Sequence, residues 1–206
     1  MILPIVAYGD PVLRKVGKEI DKEYPELEKL IANMKETMYN ANGLGLAAPQ
    51  IGKDIRLFLI DASPFADDES LSEEDRKTFE NFNRVFINAK IIKEEGEEWA
   101  FNEGCLSIPS VNEDVFRQEK ITIEYQDENF EKHTEVLSGL TARVFQHEYD
   151  HIEGILFTDK LSSLKKRLIK KKLENISKGK VNADYRMRFP NAKKKIKYKD
   201  IKTYGI

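Results

Sequence analysis

The sequence predicts an α+β domain: a largely antiparallel sheet around a central helix carrying an H-E-x-x-H motif, with a basic C-terminal helix after it. Three observations point there. Apolar residues recur at helical spacing in 25–42 and again ahead of His147. Residues 114–137 alternate as two strands about a polar turn. The strands come too irregularly, and without internal repeat, for a run of βαβ units.

The first helix is expected over 25–42. Pro25 suits its first turn, Leu27, Leu30, Ile31, Met34 and Met38 share one face, and Gly43 can cap its end. The segment Gly43-Leu44-Gly45-Leu46-Ala47-Ala48-Pro49-Gln50-Ile51-Gly52 is too rich in Gly and Pro for a regular element. Arg56–Ile60 reads as a buried strand, 63–82 as an acidic surface excursion, and Arg84–Ile92 as another strand. Phe101–Pro109 reads as a turn-like, shaped loop. In 114–125, Ile121, Ile123 and Tyr125 alternate with Thr122 and Glu124, which marks a strand with one wet face. Gln126–Asn129 is its turn and Phe130–Leu137 its partner. Ser138-Gly139 opens a helix through about His151, closed by Gly154. Residues 160–178 form a basic amphipathic helix with Leu161, Leu164 and Leu168 as its apolar stripe, expected to pack on the body.

With 206 residues, 40% of them hydrophobic, the chain can build one core. No apolar run approaches the ~20 residues that span a bilayer. The first residues lack a basic leader and a long apolar stretch, so a cytoplasmic location is expected. Cys105 alone excludes an intramolecular disulfide. The net charge of −2 conceals an asymmetry: residues 160–206 hold 17 basic and 3 acidic residues, a surplus of 14. Residues 1–179 read as one domain and 180–206 as a basic extension outside the chemistry. Removing everything after Gly179 is therefore expected to leave turnover of a short substrate little changed.

The chemistry starts from Gln146-His147-Glu148-Tyr149-Asp150-His151. Histidines four apart share a helix face and can aim at one point, and Glu148 can reach a water held there as general base. Leu140 and Val144 precede His147 on the same stripe, so both rings point inward, where they need hydrogen bonds or a metal. His133, in a polar strand, is expected at the surface. A catalytic site usually takes three protein ligands and one open position. Two candidates exist for the third: Cys105, flanked by Gly104 and Pro109, and a downstream carboxylate, Glu174, as in zinc proteases. A structural metal would need a fourth ligand, and the motifs offer none. The glycine segment has neither dinucleotide-binding nor P-loop spacing; it offers close backbone approach at Gly43 and Gly45 and one amide, Gln50.

Three segments, Gly43–Gln50, Glu103-Gly104-Cys105-Leu106-Ser107 and Gln146–His151, closely resemble in this order the signature motifs of peptide deformylases, and Ile5–Arg14 resembles the opening of that family. The resemblance covers roughly 1–160. It implies a metallohydrolase that removes the N-formyl group from the initiator methionine of nascent chains and releases formate. It implies Cys105, His147 and His151 as metal ligands, usually for Fe²⁺ with Zn²⁺, Ni²⁺ or Co²⁺ able to replace it, and Glu148 as acid/base. It implies Gln50 and the Leu106 N–H as the oxyanion site, with Gly45 and Gly104 holding the substrate backbone. Leu44, Leu140, Arg143 and Val144 are expected about the methionine pocket, and Glu103 with Arg117 behind the cysteine. Arg143 departs from the apolar residue often found there, and is expected to lay its stem along the pocket with its head in water. The partners implied are formyl-Met nascent peptides and the ribosome, docked through the basic C-terminal region; neither a membrane nor DNA is expected.

Overall fold

A five-stranded antiparallel sheet frames the molecule in a computed structural model that describes residues 1–67, 69 and 71–193. Its strands are β2 (Gly45–Ala47), β3 (Leu57–Asp61), β4 (Asn83–Cys105), β5 (Ile108–Gln126) and β6 (Lys132–Ser138), paired in chain order. A second, two-stranded parallel sheet joins β1 (Ile5–Val6) to β7 (Met187–Arg188). The helices are α1 (Leu27–Asn40), α2 (Glu73–Phe79), α3 (Gly139–Ile152) and α4 (Ser163–Ser177). None of them is long and apolar enough to cross a membrane.

The apolar stripe of α1 buries Leu27, Ile31, Met34 and Met38 against β2 and β3. The helix begins two residues later than the sequence suggests, because Glu26 takes a left-handed conformation. β3 is buried along its whole length. On its other side lies α3, which packs against β2, β3, β5 and β6. There Phe145 of α3 meets Phe58 and Phe86 edge-on, at centroid distances of 5.2 and 5.0 Å. Each such ring contributes about 1.5–3 kcal/mol by burial, and the edge-to-face geometry about 0.5–1.5 more. This aromatic seat fixes α3, and with it the H-E-x-x-H motif.

Four local expectations are corrected. The glycine segment contains a short strand, β2, followed by a 3-10 turn over Ala48–Ile51, because backbone pairing with β3 satisfies Gly45–Ala47. The acidic excursion carries α2, capped by Ser72, and buries Phe79 and Phe82 in the core. Neither 84–92 nor 101–109 ends where expected: β4 runs 23 residues to Cys105, Leu106-Ser107 makes the turn, and β5 starts at Ile108. The polar stretch 93–98 of that hairpin is largely exposed, so no one-sided alternation marked it. On α4 the stripe is misplaced. Ile169, Leu173 and Ile176 face the body, whereas Leu164 and Leu168 are 65% and 69% exposed.

The chain after α4 is also more than an extension. Ile5 N–H donates to the Arg186 carbonyl at 2.8 Å and Ala7 N–H to Arg188 at 2.9 Å, and Met187 is buried in the core. Removing residues after Gly179 would strip that pairing from the body. The lysines beyond Lys193 lie outside the described residues.

Candidate metal centre and active site

Helix α3 projects His147 and His151 from one face, with ring centroids 5.2 Å apart. Cys105, the last residue of β4, brings Sγ to 3.3 Å from Nε2 of His151. One donor atom from each of the three lies within 4.8 Å of the other two. A thiolate and two imidazoles form a donor set that suits a tetrahedral divalent metal with one position left for water. Beside it, Oε2 of Glu148 is buried and has no hydrogen-bond partner among the described residues, which fits a carboxylate waiting for a water or ligand. Glu174 sits on the exposed side of α4 and is not part of the group.

A buried charge cluster holds the ligands from behind. Glu103 of β4 receives Nε and Nη2 of Arg117 at 2.7 and 2.9 Å and pairs with Nδ1 of His147 at 2.9 Å. Arg117 also donates to Asp150 at 2.7 Å. Burial alone would raise the Glu103 carboxyl, but Arg117 and His147 outweigh it and hold it well below the usual carboxylate range. Burial likewise opposes the charge on Arg117, and Glu103 and Asp150 overcome that. Burial would lower His147, yet Cys105 and Glu103 hold its proton firmly, whereas burial and the neighbouring His147 charge push His151 down. A metal binding here would displace that proton.

Arg143 corrects another expectation. Its head is not in water: it is buried, donating to Glu103 at 3.0 Å, to the Val115 carbonyl at 3.1 Å and to the Trp99 carbonyl at 2.6 Å, beneath the Trp99 ring. A guanidinium among three acceptors and a ring face is satisfied without water, and from this buried place Arg143 still lines the cleft.

In front of the ligands opens a cleft of about 580 Å³, lined by Gly43–Gly45, Gln50, Glu103–Leu106, Val144, His147, Glu148 and others. Leu44, Arg143 and Val144 reach it. Leu140 is not among the lining residues and packs instead on the Phe58–Phe86 side. A Cβ at Gly45 would lie 2.5 Å from Glu148 Oε1, and one at Gly104 would lie 2.7 Å from Asn112 Nδ2, so both backbones are closely approached. Gln50 accepts from Ala47 N–H at 2.8 Å, which orients its amide so that Nε2 faces Cys105 Sγ at 3.6 Å. Burial pushes the Glu148 carboxyl up to about 7, against the pull of His147, which poises it to take and return a proton near neutrality.

Two contributors were not anticipated. Asp150 stands inside the motif, and the pairing with Arg117 could only be suspected from a buried helix face. Tyr185 donates its hydroxyl to the Leu106 carbonyl at 2.8 Å, and Asn182–Tyr185 line the cleft, a contact no local pattern announces. A second donor group, Asp127, Glu131 and His133, lies at the turn before β6. There the Asp127 carboxylate already accepts from the N–H groups of Asn129 and Glu131 and pairs with His133.

The profile of the polypeptide deformylase family matches residues 2–167. A peptide deformylase of Christiangramia forsetii is 72% identical over 194 residues, covering 94% of this chain and 99% of that protein. One of Flavobacterium johnsoniae is 66% identical over the same shares. Among solved structures, a peptide deformylase of Legionella pneumophila superposes with a TM-score of 0.72 at 36% identity, over 87% of this chain and 98% of the other. The Thermotoga maritima enzyme gives 0.67 at 38%, over 79% and 99%.

Proposed function

The chain belongs to the peptide deformylase family, hydrolases that remove the formyl group from N-formylmethionine peptides, and from that membership we propose how its own residues carry the reaction. The observation that supports the assignment is the meeting of Cys105, His147 and His151 beside the unpartnered Glu148 carboxylate. Cys105, His147 and His151 hold a divalent metal, Fe²⁺ in the first instance, with Zn²⁺, Ni²⁺ and Co²⁺ suited to the same donors. When bound, the metal supplies Lewis acidity that makes water a nucleophile at neutral pH.

The residues of the chain do the rest. Glu148 takes the proton of the attacking water as oxygen bonds to the formyl carbon. The Gln50 amide and the Leu106 N–H stabilise the carbonyl oxygen as it gains charge. Glu148 then gives its proton to the leaving amine as the carbon–nitrogen bond breaks, so formyl amide and water become amine and formic acid. Gly45 and Gly104 leave room for the peptide backbone, and Leu44 and Val144 supply apolar surface for the methionine side chain. Substrates come from nascent chains, which places the reaction in the cytoplasm; the Lys-rich face of α4 serves to dock on ribosomal RNA. Assay of formate release from formyl-Met peptides tests the reading. Glu148→Ala should lose at least about 10²-fold in rate at full metal content, and near-parental turnover would remove Glu148 from the mechanism.

A further inference from the structure

The family profile ends at residue 167, yet the chain returns to the cleft beyond it. From the end of α4 the segment Val181–Phe189 runs extended across the molecule. Val181, Ala183, Tyr185, Met187 and Phe189 turn toward the core, and Asn182, Asp184, Arg186 and Arg188 turn outward. It is fastened at both ends. Lys180 N–H donates to the Asn175 carbonyl at 2.9 Å, and β7 pairs with β1, with Arg188 reaching Asp10 at 3.3 Å. Between those anchors, Asn182–Tyr185 form one wall of the cleft, facing the turn that carries Cys105 and Leu106.

Two features of this wall bear on the substrate. Tyr185 grips the Leu106 carbonyl at 2.8 Å and so restrains the residue whose N–H is proposed above to meet the reacting carbonyl. Asp184 differs from the other charged residues of the cleft. Glu103, Arg143 and Glu148 are buried, whereas the Asp184 carboxylate is exposed and has no ion-pair partner among the described residues. A fixed, solvated negative charge at a cleft wall attracts a cationic side chain that is free to come near it.

We propose that residues 181–185 are a substrate-reading wall: Asp184 favours formyl-Met peptides with a cationic side chain downstream of the methionine, and Tyr185 is a positioning residue for Leu106. The proposal rests on the deformylase reading, and a parent that releases no formate from a neutral formyl-Met tripeptide would sink that reading rather than this one. The test uses the full chain, loaded with Ni²⁺, and formyl-Met peptides bearing a single Lys or Glu at the second, third or fourth residue. At low salt the parent should favour Lys over Glu at one or more of these positions by about two- to fivefold in kcat/KM, the scale of an exposed ion pair. The preference should shrink with added salt. Asp184→Asn should abolish it and Asp184→Lys should invert it. No preference in the parent, or the parental preference surviving in Asp184→Lys, overturns the charge assignment. Tyr185→Phe should lower kcat on the neutral peptide about two- to tenfold, the range for one hydrogen bond, with KM little moved. A purely structural hydroxyl would instead lower the melting temperature and leave kcat of the folded protein intact, which would overturn the positioning role.

Discussion

Nδ1 of His147 and Oε2 of Glu103 lie 2.9 Å apart, at the inner wall of the cleft where the Glu103 carboxylate is buried. The contact commits one ring nitrogen to the carboxylate and leaves Nε2 free as a ligand, with its orientation set before any metal arrives. Glu103 can do this because Arg117 and Arg143 both donate to it while Asp150 shares the charge of Arg117.

Glu103→Gln should therefore act at two levels. It leaves two buried guanidinium groups short of a carboxylate, at a cost of about 3–5 kcal/mol to the fold. It also loosens His147, weakening metal binding about 10–100-fold. Urea unfolding and chelator competition check the two effects separately.

Gly45→Ala should spare the fold and damage the reaction. The added methyl would sit 2.5 Å from Glu148 Oε1, so the carboxylate must move. A displacement near 1 Å costs on the order of 10²-fold in rate. Formate release should fall by that order while metal content stays at the parental level; an unchanged rate would mean that Glu148 has room to spare.

Asp159 gives a pH dependence remote from the metal ligands. Burial would raise its carboxyl, but Arg14 and the Leu156 N–H hold it below the usual value. A lowered carboxyl stabilises the fold above its unfolded pKa near 3.8, and that contribution disappears as pH falls through the folded value. Both partners are about 40% exposed, so the pair is screened. Asp159→Asn should cost about 0.5–1 kcal/mol at pH 7 and progressively less as pH falls below 3.8, as read from urea midpoints across that range.

The outward face of α4 carries Lys166, Lys170 and Lys171 beside the exposed Leu164 and Leu168; Lys165 is engaged with Glu113 at 3.1 Å. Reversing Lys166, Lys170 and Lys171 to Glu should preserve turnover of a short peptide and abolish co-sedimentation with ribosomes at low salt. The slope of log affinity against log salt should flatten by about 2–3 before binding is lost, as for three phosphate contacts. Parental co-sedimentation would exclude this face as the docking element.

Truncation after Gly179 should now be severe where the sequence suggested neutrality. It removes buried Met187, worth about 1.5–3 kcal/mol, together with the β1–β7 bonds and the Tyr185 grip on Leu106. Low soluble yield or a melting temperature well below that of the full chain is the expected result. A stable, fully active product would show the returning segment to be dispensable.

Local spacing in the sequence was enough to place His147 and His151 on one helix face with Glu148 one position on, because the period of the α-helix is fixed by backbone geometry. It was also enough to put Ile121, Ile123 and Tyr125 on the inner face of a strand, whereas Cys105 and Gln50 entered the site through the resemblance of their motifs to those of the family. The tertiary structure alone decided what surrounds those residues. Arg143 was expected to line the pocket with its head in water; it does line the cleft, but only the approach of Glu103, Val115 and Trp99 from two strands makes burial of its charge favourable. Leu164 and Leu168 looked like an inward stripe, yet a helix with apolar residues on more than one side is oriented by the surface it meets, and here that surface takes Ile169, Leu173 and Ile176. Tyr185 meets Leu106, 79 positions earlier in the chain, a contact made by the pairing of β7 with β1 and encoded in neither segment by itself.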